Sequence, residues 1–278
     1  MAIRTILSIC TANTPDSEIK LVAGLCAEVD AHLSLIVMGL STYPPVGEYA
    51  DAGFLLWAKE RDSEAEALSV RVSSARDILE SQGISYNVEH EYLLEAMLED
   101  EIALRAHFSD LLVLSNSIMK NRIALQPVIE GAIFRSTRPV LIVPKDGKAT
   151  LKPEKMMIAW NSGDEASRAI YSALGLMKKG TNVTILMVDP VARVEESGEE
   201  PGADLATYLA RHDVNVSVDV LSSDGQDQDK LVKQHAQAVQ ADMIVMGAYG
   251  HSRLRERIFG GVTEAFMKDP TLPVLMAH

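Results

Sequence analysis

Each half of the chain contains an apolar run that follows a small residue and an aspartate. Residues 111–114 follow Ser109-Asp110, and residues 243–246 follow Ala241-Asp242. An unbroken apolar run of this kind is typical of a strand that is buried on both faces of a parallel sheet. The two runs therefore predict equivalent central strands in two copies of one fold.

Further strand patterns repeat around these two runs. Pro139 and Pro273 each open a short apolar segment, and proline at a first strand position removes no central ladder bond. Strand-like segments also match at 6–9 and 156–159, and again at 35–38 and 185–188. Each half thus alternates strand and helix about five times, which predicts parallel βαβ units. The expected fold class is α/β, with two tandem doubly wound domains and separate sheets.

The repeat also sets the expected domain boundaries. A chain of 278 residues exceeds the usual single-domain length of roughly 100 to 150. We assign residues 1–146 to the first domain, the polar segment 147–153 to a linker, and residues 154–278 to the second domain.

The copies differ in their middles: residues 53–82 predict one long helix, whereas the second copy has an acidic loop at 191–202 and a shorter helix. We interpret that loop as solvated, with a lid over a ligand as the alternative.

Charge and cysteine content limit the function classes. The chain has 26 basic and 39 acidic residues, a net charge of −13 that disfavours nucleic acid as a partner. An apolar run long enough to span a bilayer is missing, as is a signal peptide, so we expect a cytoplasmic protein that does not associate with membranes. Cys10 and Cys26 are expected to be reduced, packed thiols, one in a strand and one in a helix.

A glycine-rich turn follows the apolar run of the second copy. It contains Gly247, Gly250, Gly260 and Gly261, and Thr263 lies at the start of the next helical pattern. In an open α/β sheet, ligands bind beyond the carboxyl ends of the strands. Glycines there let backbone N–H groups approach a phosphate, and a helix N-terminus favours an anion. The turn also carries three positive charges in an acidic protein, at Arg253, Arg255 and Arg257.

The spacing alone leaves two interpretations open. The glycines either bind phosphate or serve only the geometry of the loop and the packing of the helix. The turn matches neither the Walker A motif nor the dinucleotide-binding motif G-x-G-x-x-G. His251 stands beside the turn, where it either donates to a phosphate or caps a loop. Tyr249 is either packed or exposed beside a ligand, and packing is favoured.

The spacing Gly247-x2-Gly250-x9-Gly260 resembles the ATP-binding signature of the universal stress protein family, G-x2-G-x9-G-(Ser/Thr). The resemblance extends over 151–278 and, more weakly, over 1–150. It implies an adenine nucleotide alpha hydrolase-like fold, with a five-stranded parallel sheet in each domain. The ligand that it implies is ATP or a related adenine nucleotide, with or without Mg²⁺.

The family's ligand residues carry over to Gly247, Gly250, Gly260 and Thr263, with the backbone near Val188 facing the base. Two positions depart from the family pattern. Gly261 stands where the signature has Ser or Thr, so one hydroxyl donor is missing while the backbone N–H remains. Asn161 stands where the family often has Asp after the first strand, so a charged contact to the nucleoside becomes neutral.

The first copy departs further from the signature. Ser115-Asn116-Ser117-Ile118 replaces Gly-x-x-Gly, and Pro127 falls near the position of the later glycines. Ile118 adds a branched side chain where the phosphate path requires glycine, and Pro127 removes a backbone donor. We therefore expect this site to be lost and the first domain to serve as a packing partner for the second, as separate domains of the family pair in dimers. Further assembly into a homodimer is left open.

Signatures of catalysis are missing from the sequence. There is no G-x-S-x-G elbow, and the seven histidines lack the spacing of a zinc site. The leading hypothesis is a stress-response protein that binds ATP and acts as a sensor or regulator through protein partners. The alternatives are a slow ATPase or nucleotidyl-transfer enzyme, in which Asp189 is a candidate for mutation, and an interaction protein that binds no nucleotide.

Overall fold

The chain forms two compact units. The computed structural model describes residues 2–46, 50–145, 148–190, 202–249 and 261–278. One unit, Arg4–Arg138, is called the N-terminal unit; the other, Pro139–His278 with Met1–Ile3, is called the C-terminal unit. This division lies before the end of the first repeat at residue 146, and the domain boundaries drawn from the repeat stay a prediction.

The N-terminal unit contains a four-stranded parallel sheet in the order β3-β2-β1-β4. Its strands are β1 (Thr5–Cys10), β2 (His32–Ser41), β3 (Tyr86–Leu94) and β4 (Leu111–Leu114). Its helices are α1 (Asp16–Val29), α2 (Ala50–Gln82), α3 (Leu98–Ala106), α4 (Asn116–Lys120) and α5 (Leu125–Ile129), with a 3-10 turn at Glu95–Met97 and a π-helix at Glu130–Arg135. The long helix expected over 53–82 is confirmed as α2, which packs on α1, β2 and β3.

The C-terminal unit contains a six-stranded sheet in the order β5-β10-β9-β6-β7-β8. Its strands are β5 (Val140–Ile142), β6 (Lys155–Ala159), β7 (Asn182–Val188), β8 (Asn215–Leu221), β9 (Met243–Gly247) and β10 (Val274–Ala277). Its helices are α6 (Asp164–Ala173), α7 (Ala203–Ala210), α8 (Gln228–Ala238) and α9 (Gly261–Lys268). The shorter helix expected in this copy is α7, whereas nearly all of the acidic loop before it lies outside the described residues.

The α/β fold class with a mostly parallel sheet is confirmed, and one strand departs from the expected separate five-stranded sheets. β5, the closing strand of the first repeat, belongs to the C-terminal unit, where it pairs antiparallel with β10. A closing strand leaves a row of unpaired backbone groups on its outer edge, and pairing with a second strand satisfies them. The apolar pattern of β5 and β10 indicates that both strands are buried. It does not specify which strand each of them pairs with in the sheet.

The aspartates before the two central strands have the same role in both units. Asp110 Oδ2 accepts two backbone N–H groups at the start of β1, at 2.8 and 3.0 Å. Asp242 Oδ2 accepts two N–H groups at the start of β6, both at 2.9 Å. Each carboxylate therefore ties the central strand to the first strand of its own repeat. The side chains of β4 are all buried, as are those of β9 up to Gly247, as the apolar runs predicted.

Candidate functional site

The strand order of the C-terminal unit reverses between β6 and β9. The chain proceeds from β6 to β7 and β8 on one side, and then returns to β9 on the other side of β6. Ala159, the last residue of β6, pairs with Met246 near the end of β9. Asn161 and Gly247 therefore follow neighbouring carboxyl ends at the switch point of the sheet. This is the position at which open α/β sheets bind ligands.

Gly247 stands where no other residue fits without movement. A Cβ atom built on it lies 2.4 Å from Glu165 Cγ and 2.6 Å from the backbone nitrogen of Ala166. Both neighbours belong to the first turn of α6, so the end of β9 and the start of this helix touch through their backbones. Glycine is therefore needed at this position for steric reasons. Its lack of a side chain lets the backbone of β9 lie close to the backbone of α6.

Asn161 organises the turn between β6 and α6. Its Oδ1 accepts the N–H of Gly163 at 3.0 Å, and its Nδ2 donates to Glu165 Oε1 at 3.0 Å. Between them, Ser162 has a φ of 61°, in the left-handed region. The side chain that was expected to contact a nucleoside thus also fixes the entry into α6. The sequence analysis missed Glu165, although an acidic residue in the first turn of a helix is a recognisable signal.

Gly261 and Thr263 lie at the start of α9, and their surroundings differ. A Cβ atom built on Gly261 meets no atom of the described residues within 4 Å. Thr263 is buried, and its Oγ1 accepts the N–H of Tyr249 at 3.4 Å. Thr263 therefore links the start of α9 to the turn after β9.

The turn after β9 is held by aromatic and backbone contacts. Tyr249 has a φ of 64°, in the left-handed region that turns favour. Its half-buried ring meets His278 edge to face, with 6.4 Å between ring centroids. His278 Nδ1 lies 2.9 Å from the carbonyl oxygen of Ala248. The arrangement agrees with packing, the favoured interpretation of this tyrosine.

Val188 ends β7 and is half-buried, with its backbone in register with Leu221 of β8. The next residue, Asp189, is exposed and has a φ of 46°. Its Oδ1 accepts the N–H of Ser223 at 3.0 Å, and hydrogen bonds from Ser223 hold the pKa of Asp189 below its ordinary value. Asp189 is thus an oriented carboxylate that remains accessible at the carboxyl edge of the sheet. Ser223 was not anticipated, because its contact depends on the register of β7 and β8.

Three predicted ligand residues, Gly250, His251 and Gly260, lie outside the described residues, as do the three arginines of the same turn. Within the described parts of the chain, His, Cys, Asp and Glu side chains nowhere gather in a group of three that could hold a metal ion. The same parts contain no helix with the length and hydropathy of a membrane span.

The N-terminal unit has a different arrangement at the corresponding edge of its sheet. Ser115 follows β4 and is buried, and Ser117 donates both its N–H and its hydroxyl to Glu18 of α1. Ile118 is fully buried, and Pro127 lies inside the short helix α5. The glycines of the C-terminal turn thus have packed side chains as their counterparts. A small pocket remains beside them, lined by Ser8, Ile9, Cys10, Thr14, Glu18, Ile19, Val22, Leu33, Leu35 and Ser115.

The fold and the switch-point turn place the chain in the class of α/β proteins with doubly wound, mostly parallel sheets. Residues 154–278 match the Universal stress protein family. The chain therefore carries a universal stress protein domain in its C-terminal half, and the resemblance predicted from the sequence is confirmed.

Individual relatives agree with this assignment. The chain is 32% identical over 82 residues to the stress response protein NhaX of Bacillus subtilis (strain 168), a match that covers 30% of this chain and 48% of that protein. The match thus spans about half the length of this curated relative.

Solved structures extend the likeness in fold to the whole chain. A universal stress protein from Archaeoglobus fulgidus DSM 4304 superposes with a TM-score of 0.63 at 17% identity, covering 98% of this chain and 97% of its own. A functionally unknown protein from Pseudomonas aeruginosa PAO1 has a TM-score of 0.54 at 17% identity, with 99% and 92% covered. At this level of identity, the similarity concerns the fold alone.

Proposed function

We propose that the C-terminal unit binds ATP or a related adenine nucleotide, and that the chain acts as a stress-response sensor or regulator through protein partners. The observation that carries the proposal is the contact between Gly247 and the first turn of α6, at the point where the strand order reverses. Open α/β sheets bind ligands at this point, and a glycine lets the backbone approach a phosphate closely.

The surroundings of this contact support an anionic ligand with a polar nucleoside. The sequence supplies three arginines in the turn after Tyr249, in a chain whose net charge is −13. Asn161 presents an exposed amide after the neighbouring strand end, and a Cβ atom built on Gly261 meets none of the described residues within 4 Å. The backbone at the end of β7, near Val188, offers polar groups at the same edge of the sheet, where a base would lie. Mg²⁺ would accompany the phosphates, and the exposed carboxylate of Asp189 would lie at the same edge.

Regulation through partners is proposed in preference to rapid turnover. A phosphoryl-transfer enzyme needs metal ligands and a group that positions the attacking water. Asp189 is an accessible carboxylate at the edge of the site, and its hydrogen bonds with Ser223 keep it ionised. Among the described residues, no group of three acidic, His or Cys side chains could hold a metal ion, so we propose slow hydrolysis at most, and ADP formation is the measurement that separates the two functions.

Titration calorimetry with ATP on the intact chain tests the proposal. We expect about one nucleotide per chain, because the signature glycines occur in one of the two repeats. Gly250→Glu should abolish the binding, since a carboxylate would then occupy the path of the anion. Gly24→Glu is the matched control, because it adds the same charge at an exposed position of α1 where a Cβ atom meets nothing within 4 Å.

Each other outcome favours a different function. Two equivalent sites would mean that the N-terminal unit also binds nucleotide. Wild-type affinity in the Gly250→Glu variant would show that the glycines serve packing alone. No binding by a folded chain would favour an interaction protein without nucleotide, and steady release of ADP would favour the slow ATPase.

A further inference from the structure

One face of β3 carries a row of polar side chains at its amino end. Ser85 precedes the strand, and Asn87 and Glu89 follow at every second position. Successive side chains of a strand point to opposite faces, so these three share one face. His32, the first residue of β2, lies beside the row, because β2 pairs in parallel with the whole of β3. The N-terminal unit thus brings four polar side chains together at the amino edge of its sheet.

His32 makes a hydrogen bond through each of its ring nitrogens. Nδ1 lies 2.7 Å from Ser85 Oγ, and Nε2 lies 2.9 Å from Asn87 Oδ1. The imidazole is half-buried, whereas Ser85 is exposed. The two partners are 53 and 55 residues away in sequence, so the contacts depend on the pairing of β2 with β3. Ser85, His32 and Asn87 thus form a relay of hydrogen bonds that no local sequence motif marks.

The orientation of Asn87 decides which nitrogen of the imidazole carries the proton. Asn87 Nδ2 donates to Glu89 Oε1 at 3.1 Å, so the amide oxygen is the atom that faces His32. An amide oxygen only accepts hydrogen bonds, and Nε2 of His32 must therefore be protonated. In the neutral ring the other nitrogen, Nδ1, is then an acceptor. The hydroxyl of Ser85 donates to it.

A negative charge lies at the far end of the relay, at Glu89. Arg105 of α3 donates to Glu89, and it also donates to Glu91 and Glu101, each at 2.5 Å. The hydrogen bond from Arg105 holds the pKa of Glu89 below its ordinary value, so the carboxylate is ionised at neutral pH. Because an ionised carboxylate only accepts hydrogen bonds, it holds Asn87 with Nδ2 toward itself and Oδ1 toward the imidazole.

This arrangement is the one that activates a serine for nucleophilic attack. A hydroxyl is a weak nucleophile until a base accepts its proton, and a third group must hold that base in the correct tautomer and orientation. Nδ1 of His32 is placed as the base, and Asn87 as the group that orients it. An amide can serve as the third group, as in Cys-His-Asn arrangements. Because Ser85 is exposed, its Oγ is accessible to reagents in solution.

We propose that Ser85 is a reactive serine that accepts acyl groups from activated esters and thioesters, with His32 as its general base and Asn87 as a positioning residue. Ser85 Oγ forms a bond to the acyl carbon and passes its proton to His32 Nδ1. The bond between the acyl carbon and the oxygen or sulfur of the leaving group breaks. The leaving group departs with that electron pair and takes the proton from His32. The products are an acylated Ser85 and a free alcohol or thiol, and the step does not depend on nucleotide binding by the C-terminal unit.

Acetylation of the intact chain by p-nitrophenyl acetate in mildly alkaline buffer tests the proposal. Peptide mass spectrometry over time should find the acetyl group on Ser85, at a rate about a hundredfold above that of Ser81. Ser81 is also exposed, but its hydroxyl donates to a backbone carbonyl. His32→Gln should lower the rate at Ser85 by about a hundredfold or more, because general base catalysis is lost. His90→Gln is the matched control, since it removes an exposed histidine from β3 and should leave the rate unchanged.

Asn87→Ala separates positioning from a merely structural role. The variant removes the acceptor of the Nε2 proton, so the imidazole should no longer favour one tautomer. Nitrogen NMR of the ring should place the proton on Nε2 in the wild-type protein and on both nitrogens in the variant. Acetylation of Ser85 should fall by about tenfold or more, because the base loses the group that fixes its tautomer. A purely structural role of Asn87 would lower stability and leave the tautomer unchanged.

Three results would overturn the proposal. One is that Ser85 of the folded chain is acetylated no faster than Ser81, and another is that His32→Gln reacts at the wild-type rate. The third is a proton on Nδ1 of the wild-type ring, because the hydroxyl of Ser85 would then accept rather than donate. If His32→Gln does not fold, the comparison of Ser85 with Ser81 and the wild-type tautomer decide without it. All of these readouts are local to β2 and β3 or to the end of α2, so the outcome of the ATP titration does not affect them.

Discussion

The backbone of Gly247 touches the backbone of Ala166: a Cβ atom at residue 247 would lie 2.6 Å from the Ala166 nitrogen. This distance is shorter than any that a real Cβ atom keeps from a backbone atom. The contact joins the end of β9 to the first turn of α6, and it lies at the switch point of the sheet. Gly247 is therefore needed both for packing and for the proposed ligand binding. Variants that affect packing and binding differently are required to separate these two roles.

Gly247→Ala should lower both stability and affinity. The added methyl group must push away the first turn of α6, and overpacking of this kind costs typically about 1–3 kcal/mol. The shift also moves the backbone N–H groups away from the positions that a phosphate would contact. Urea unfolding would measure the loss of stability, and calorimetry with ATP the loss of affinity. Gly261→Ala is the control, because its methyl group meets no described atom within 4 Å. An equal loss in both variants would contradict the steric argument.

Gly261→Ser should strengthen ATP binding. It restores the hydroxyl that the family signature has at this position, and a Cβ atom there meets no described atom within 4 Å. A hydrogen bond to a charged group contributes about 1.5–3 kcal/mol, so we expect an increase in affinity of at least about tenfold. Comparison with Gly261→Ala by calorimetry separates the hydroxyl from the effect of losing a glycine. Equal affinity of the Ser and Ala variants would count against a ligand at this position.

The strands near the central apolar runs were predictable because they are buried on both faces. Such strands are continuous apolar runs: β4 has the predicted bounds, and β9 extends one residue beyond the predicted run. The pairing of β5 with β10 was not predictable in the same way. Its three residues are all buried, and burial alone does not specify an antiparallel pairing with β10. The partner of an edge strand depends on which backbone N–H and C=O groups of the neighbouring strands are still unpaired.

The site was predictable only where a motif marks it. Gly247 and Asn161 were identified from spacing and resemblance, and the structure places both at the switch point. Glu18 and Arg71 were not anticipated, because their partners are far away in sequence: 99 residues separate Glu18 from Ser117, and 55 separate Arg71 from Asp16. No local pattern marks an acid in the first turn of α1 as the partner of a turn after β4.

Arg71→Lys should destabilise the N-terminal unit. The guanidinium is almost completely buried and uses separate nitrogens to bind Asp16 and the carbonyl of Thr14. An ammonium group on a flexible stem does not reproduce this fork, so we expect the free energy of unfolding to fall by about 1–3 kcal/mol. Urea unfolding measures the change. Arg122→Lys makes the same replacement at an exposed position and should be nearly neutral; similar losses in both variants would show that the fork is not responsible.

The two cysteines should make stability depend on pH in the alkaline range. Cys10 and Cys26 are buried, and burial raises the pKa of each thiol from 9.0 to about 12. Between these values the unfolded chain releases the thiol protons and the folded chain keeps them, so the unfolded state is favoured as pH rises. The stability that the neutral thiols contribute is therefore complete below about pH 9 and is lost progressively toward about pH 12.

Urea unfolding at pH 7.5, 9 and 10.5 measures this effect, with the double variant Cys10→Ala, Cys26→Ala as the reference. Other groups titrate equally in both proteins, so the difference between their free energies of unfolding isolates the thiols. Above pH 9, the wild-type protein should lose stability relative to the variant by up to about 1.4 kcal/mol per pH unit for each thiol. A difference that stays constant across the series would mean that the thiols ionise as readily in the folded chain as in the unfolded one. Such a result would contradict the burial of the two thiols.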